Sequence, residues 1–559
     1  MKTLYTKAGR SLPPIPWERY PRPQLRRKDW LCLNGDWNFS FGGSETLIRV
    51  PFCAESLLSR LERAPEPGDR LTYSRSFSVP EEWKGKRILL HFGAVMRESA
   101  VFVNGREQCR HDNGYLPFCV DITDSLLPGE NSLRVTAVND LDPRYPWGKQ
   151  SKSRGGMWYT PCSGIWQTVW LEPVPQNHIQ SLRITGGKDW VRIETPGIEN
   201  GCVKLNKRHY AITEGQVRIR LEDAHLWSPE DPYLYFFTVE SGEDCVESYF
   251  ALRTLTTETV DGIARLCLNG RPYFFNGVLD QGYWSDGLYT PAAPEAYEQD
   301  ILAMKALGFN TLRKHIKIEP EQFYYDCDRL GMIVFQDMVN SGSYHFLRDT
   351  VLPTLHLQRR QDRRLNTDPE TRRIFICSME ATARHLGSHP CICLWTIFNE
   401  GWGQFCADDA YSVLKAMDSD RWIDSTSGWF HQNKSDVDSL HIYFDRLHLG
   451  KKPLPQLLSE FGGYVWKDPE HSFNTEKTYG YRKYSSRRKL VCALRKVYSE
   501  LLPLVREGLC GAIYTQVSDV EDETNGLMTY DREVLKVRPE ELQDCAHALQ
   551  CAVEESQKQ

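Results

Sequence analysis

Trp395-Thr-Ile-Phe-Asn-Glu-Gly-Trp402 and, further along, Leu457-Leu-Ser-Glu-Phe-Gly-Gly463 are two apolar runs, each ending in a carboxylate with glycine close behind. A buried parallel strand that delivers an acid to the C-terminal rim of a barrel reads this way, because loops at that rim build the site. Two carboxylates so delivered, Glu400 and Glu460, are the apparatus that acid/base hydrolysis of a glycosidic bond requires.

Around these segments, strand-like runs alternate with helical ones, the texture of parallel βα units. Eight strand candidates fall at 273–276, 311–314, 333–336, 392–398, 422–425, 439–442, 456–459 and 512–515, with helical stretches such as 294–305 and 370–381 between them. This predicts a (β/α)8 barrel over residues 258–559, with Glu400 after the fourth strand and Glu460 after the seventh. Upstream, the first 175 residues read as short alternating strands. Ser99-Ala-Val-Phe-Val runs into Asn104-Gly105, a strong hairpin signal. A jelly-roll β-sandwich is expected there, over 1–175, and a smaller immunoglobulin-like β-sandwich over 176–257, after the proline-marked junction Trp170-Leu-Glu-Pro-Val-Pro175.

Composition narrows the partners. A chain of 559 residues calls for about three domains, and a formal charge of -6 over that length gives nucleic acid or an anionic membrane no purchase. No run approaches the ~20 apolar residues of a membrane span. The N-terminus shows no apolar segment of a signal peptide, so the expected location is cytoplasmic and the 17 cysteines are expected as reduced thiols. Cys391-Ile-Cys393 alternates on a buried strand with no matching pair, so neither a metal nor a cofactor is expected. The 16 Trp suit sugar stacking and rigid β-rich cores equally.

The chain resembles glycoside hydrolase family 2, the group of β-galactosidases, β-glucuronidases and β-mannosidases, over nearly its whole length. The matching stretches are Phe92-Gly-Ala-Val, Val101-Phe-Val-Asn-Gly105, Gly114-Tyr-Leu-Pro-Phe and Gly164-Ile-Trp-Gln-Thr-Val-Trp170 in the first domain. Leu226-Trp-Ser-Pro-Glu-Asp-Pro-Tyr-Leu-Tyr235 follows in the second, then Asp286-Gly-Leu-Tyr, Gly308-Phe-Asn-Thr-Leu-Arg313, Phe398-Asn-Glu and Ser459-Glu-Phe-Gly in the barrel. The resemblance implies a retaining exo-β-glycosidase, galactosidase-like in first reading, with a carbohydrate substrate and room for a homo-oligomer. It implies carboxyls ~5 Å apart, Glu460 as nucleophile and Glu400 as general acid and then base. Asn399 would donate to the sugar 2-hydroxyl, Tyr443 would hold the nucleophile, and Arg313 would lower its pKa. His441 reaches the sugar or packs. Trp429 and Trp402, just past strand ends, are candidate stacking platforms, and Asp280 and Asp337 candidate grips on sugar hydroxyls.

The chain departs from the family pattern around the sugar. Where galactosidases carry His three residues after the strand-two Arg, this chain has Ile316, with His315 one place earlier. Gln336-Asp337 replaces an Asp-Glu pair, and Tyr514-Thr-Gln-Val-Ser518 lacks a Trp common after strand eight. Glu523-Thr-Asn-Gly-Leu-Met528 lacks the Lys that meets the glucuronide carboxylate, and a buried uncompensated carboxylate is costly, which lowers the glucuronide. Other glycones on the same scaffold are mannoside, glucosaminide and arabinoside. A non-catalytic carbohydrate-binding protein is the alternative from another class, and the presence of both glutamates argues against it.

Overall fold

The computed structural model describes residues 1–61, 63–354, 357 and 361–555. Period-two patterning builds the first domain. In Glu130–Val138 the side chains of Asn131, Leu133, Val135 and Ala137 point inward while their neighbours face out. That strand lies inside a six-stranded antiparallel sheet, which faces a four-stranded sheet across a core including Trp37, Tyr73, Leu90, Val101 and Leu171. The Asn104-Gly105 turn joins Glu98–Val103 to Arg106–His111, with φ of 50° and 78°. Positive φ at both central residues is what a tight hairpin turn demands.

A second sandwich follows, with a three-stranded and a four-stranded antiparallel sheet closed over Val191, Ile193, Val203, Val239 and Phe250. A small sheet of Leu255–Val260, Ile263–Leu268 and Arg271–Pro272 then closes the N-terminal end of the barrel. There Arg265 donates to Val505 O at 2.7 Å, and Trp422 Nε1 to Thr257 Oγ1 at 3.2 Å.

The barrel strands are β1 (Phe275–Asp280), β2 (Thr311–Lys314), β3 (Ile333–Asp337), β4 (Ile392–Asn399), β5 (Trp422–Ser427), β6 (Asp438–Ile442), β7 (Gln456–Gly462) and β8 (Leu509–Thr515). They pair in the order β5-β4-β3-β2-β1-β8-β7-β6, all parallel. Every residue of all but β6 is buried, so these runs carry no alternation, as parallel strands covered on both faces do not.

Two features differ from the regular (β/α)8 expectation. Among the described residues, no helix lies between β5 and β6 or between β6 and β7. Nor does a ladder join β5 to β6. Asp436 takes the place of a strand neighbour: its N–H donates to Ile423 O and its carboxylate accepts from Ile423 N, both at 2.9 Å. The connection of residues 428–437 is too short for a crossover helix, and the Asp436 and Ser435 side chains satisfy the β5 backbone instead. The first strand also starts later than expected, at Phe275 instead of Tyr273, and runs on to Asp280.

Candidate active site

Glu400 directly follows β4, in left-handed backbone at φ 50°, and Gly401 continues the turn at φ 73°. A Cβ on Gly401 would stand 2.3 Å from the Phe430 ring, so only glycine fits. Glu460 lies within β7, not after it as the sequence suggested. The ladders on both sides of β7 shift register next to Ser459, so β7 bulges there. A bulge re-aims a side chain, and here it turns Glu460 into the barrel mouth. An oxygen of Glu400, an oxygen of Glu460 and a ring nitrogen of His441 all lie within 4.8 Å of one another.

Arg313, 1% exposed at the end of β2, organises the floor of the site. Its guanidinium donates to both oxygens of Asp337 (3.0 and 3.1 Å), to Glu460 Oε1 (3.0 Å), to Ser459 O (3.0 Å) and to Asn399 Oδ1 (2.8 Å). The Asn399 carbonyl is thereby fixed and its amide nitrogen is left without a partner, as a donor awaiting an acceptor. The Tyr443 hydroxyl donates to Glu460 Oε2 and lies 3.1 Å from Thr515 Oγ1. Tyr481 stacks on the Tyr443 ring at 3.7 Å, and Gly463 leaves room for it. His441 bridges the pair: its Nδ1 is 2.8 Å from Glu400 Oε1, and its Nε2 is 3.1 Å from Ser427 Oγ and 3.6 Å from Glu460 Oε1. Glu400, His441 and Glu460 are also donor types that a divalent cation uses. The guanidinium 3.0 Å from Glu460 already supplies positive charge there, which favours an acid/base pair.

Three sequence expectations meet different geometry, and a fourth, Trp429, stays compatible with it. Asp337 accepts from Arg313 on both oxygens and lies 2.9 Å from His315 Nδ1, so it braces the buried cation. Asp280 accepts from Lys314 Nζ at 2.6 Å and Gly282 N at 2.8 Å, neutralising a fully buried lysine. Trp402 is 2% exposed, packed against Trp158 at 5.3 Å and Tyr344 at 5.9 Å, and forms wall, not open platform. Trp429 is half-buried, 5.6 Å from the His441 ring, at the edge of the site. Residues the sequence did not single out are Ser427 and Tyr481. They act through neighbours brought close only by the barrel's closure, so no local pattern marks them.

Electrostatics separate the two glutamates by environment. Burial pushes Glu460 up, but the His441 imidazole and the Arg313 guanidinium outweigh it and hold the carboxyl at about 2. Asp337 is likewise held below the usual carboxylate range, burial being outweighed by Arg313 and His315. A carboxylate with a depressed folded pKa stabilises the fold above its unfolded pKa, and that stabilisation is lost as pH falls through the folded value. For Glu460 the window runs from its ordinary 4.5 down to about 2. Urea midpoints of wild type and Glu460→Gln, taken at pH 5 and pH 3, are expected to show the wild type losing more stability on acidification. Equal losses in the two proteins would contradict this reading.

Comparison with known proteins agrees with this architecture. The sugar binding domain of glycosyl hydrolases family 2 matches residues 61–175, a further region of that family 180–253, and its TIM barrel domain 260–459. A β-galactosidase of Aeromonas hydrophila subsp. hydrophila is 26% identical over 433 residues, covering 70% of this chain and 39% of the relative. One from Thermoanaerobacter pseudethanolicus is 26% identical over 342 residues, covering 56% of this chain and 45% of the relative. The chain thus spans less than half the length of these curated relatives. The solved β-D-glucuronidase of Dictyoglomus thermophilum superposes with TM-score 0.73 at 17% identity, covering 96% of this chain and 98% of that one. With three successive regions matched in family order, and both rim carboxylates in place, the chain belongs to glycosyl hydrolases family 2.

Proposed function

We propose that this protein is a retaining exo-β-glycosidase in which Glu460 attacks the anomeric carbon and Glu400 first protonates the leaving oxygen and then activates water. The observation that carries this reading is the placement of the two carboxylates, with oxygens within 4.8 Å. Carboxyls about 5–5.5 Å apart leave no room for a water between the second carboxylate and the anomeric carbon, whereas inverting enzymes need about 6.5–9.5 Å. The nucleophile must be ionised, and Arg313 and Tyr443 hold Glu460 as an oriented anion. The unpaired Asn399 amide nitrogen supports its reading as a donor to a sugar hydroxyl.

Matches by sequence to both β-galactosidases and β-glucuronidases leave the glycone to the residues of this pocket. The test is the configuration of the first-formed sugar. Proton NMR during hydrolysis of an aryl β-glycoside is expected to show the β-anomer first, followed by mutarotation. First appearance of the α-anomer would overturn the retaining mechanism.

A further inference from the structure

At the end of the barrel opposite the carboxylate rim, a cleft of about 640 Å³ opens where the second sandwich meets the starts of β4 and β5. Six arginines line it against three acids, on a chain whose formal charge is -6. A cleft walled by one sign of charge concentrates ions of the other. The sandwich wall is one face of a three-stranded sheet, Arg183–Gly186, Trp190–Glu194 and Gln216–Arg220. Ile184, Val191, Ile193, Val217 and Ile219 turn inward to its core, which sends Arg183, Arg192 and Arg218 to the cleft. Arg192 and Arg218 are direct cross-strand partners, and like charges in that register repel. Little on the sheet answers them. Glu194 reaches Arg192 at 3.8 Å, and Arg218 rests on the Trp190 ring, 4.2 Å from its centroid. Arg183, the cross-strand partner of Glu194, makes no ion pair among the described residues.

The barrel wall supplies Arg253 and Arg421, 9% and 8% exposed. Both donate to the Ile392 carbonyl, each at 2.7 Å, so the two guanidinium groups lie side by side. Arg421 has a counter-ion in Asp418 at 2.7 Å. Arg253 has none: its Nε donates to Pro390 O and its Nη2 to Ile392 O, and among the described residues Nη1 meets no carboxylate. Burial first, and Arg421 beside it, push this guanidinium below its usual range. A buried charge is ordinarily paired, and the guanidinium fork matches phosphate-like oxygens two at a time. The surplus of arginines calls for more than one negative charge.

We infer that this cleft is a non-catalytic anion site, which binds a ligand carrying a tetrahedral dianion, a phosphate or sulfate ester, between the second sandwich and the barrel. Arg183, Arg192 and Arg218 reach it from the sheet and Arg253 from the barrel, so a bound anion ties the two domains together. The volume is that of a small-ligand pocket, larger than a bare ion needs. Neither Glu400 nor Glu460 lines the cleft, so the glycosidase reading stands apart from this one.

The test is isothermal titration calorimetry of the full chain with inorganic phosphate and, separately, inorganic sulfate, in chloride buffer at constant ionic strength. Wild type is expected to bind at least one of them at a single site. The double variant Arg192→Gln/Arg218→Gln is expected to weaken that binding by at least about tenfold, the loss of charge-assisted hydrogen bonds. Near-UV circular dichroism reports whether the variant is folded. Should it not be, Arg183→Gln, an exposed position, carries the same test with a severalfold loss expected. Phosphate bound alone names a phosphate ester as the ligand, sulfate alone a sulfate ester, and equal binding recognition of the shared tetrahedral charge. Binding of neither ion, or an affinity unchanged in the folded variant, overturns the site.

Discussion

Replacing Glu460 by Gln is expected to lower kcat/KM by at least about 10⁴-fold on every glycoside the protein turns over, because no other group can form the covalent intermediate. Replacing Glu400 by Gln should behave differently. General acid catalysis contributes roughly 10²–10⁴-fold, and it matters only as far as the leaving oxygen needs a proton. An aryl glycoside with an acidic phenol should therefore keep much of its first-step rate in Glu400→Gln, while an alkyl glycoside loses nearly all of it. A burst of phenol followed by slow steady turnover is the expected signature, since the second step still lacks its base. Steep leaving-group dependence in Glu460→Gln and none in Glu400→Gln would exchange the two roles. The geometry supports the assignment as written: Arg313 and Tyr443 bear on Glu460, whereas the 15% exposed Glu400 side chain is held by His441 Nδ1 at 2.8 Å.

The second large effect concerns Arg313. Its side chain is 1% exposed and compensates Asp337 and Glu460 together, with side chains 1% and 6% exposed. Arg313→Met keeps the stem and removes the charge, leaving two carboxylates without their cation in the barrel interior. Removing one partner of a buried ion pair costs about 3–5 kcal/mol. The sign of the pH dependence is the sharper test. In the wild type, Asp337 and Glu460 have lowered pKa values and their contribution to stability grows as pH rises through the acid range. Without Arg313 the lowering it supplies is lost, so both pKa values rise and the same carboxylates contribute less stability as pH rises. The stability gap between wild type and Arg313→Met should therefore widen from pH 4 to pH 7 in urea titrations. A gap that narrows with pH would show that Arg313 is not the counter-ion of these acids. Activity should fall as well, since Arg313 fixes the Asn399 carbonyl and holds Glu460 ionised.

Much of this was legible in the chain. The rim acids announced themselves because a catalytic carboxylate at a strand end needs an apolar run before it and a tight turn after it. Both requirements are local, and Gly401 and Gly463 show why: a Cβ would strike Phe430 in one case and Tyr481 in the other. Strand ends were less legible. Buried parallel strands carry no alternation, so Tyr273 and Phe274 read as well as Val278 and Leu279 for the start of β1. The bulge at Ser459 was invisible for the same reason, and Glu460 was placed after β7 when it lies inside it.

The partners of charged residues were the least legible. A rim aspartate looks the same in sequence whether it faces a sugar or neutralises its neighbour's cation. Asp280 and Asp337 prove to do the second, and the deciding residues, Lys314 and Arg313, lie on the adjacent strand.

The most direct test of the account is to trap the intermediate. Incubation with a 2-deoxy-2-fluoro glycoside bearing an activated leaving group, followed by mass spectrometry of the intact chain and its peptides, should show one fluorosugar attached to Glu460. Attachment at another residue, or turnover of the parent glycoside with no adduct under these conditions, would contradict the claim that Glu460 is the nucleophile of a retaining site.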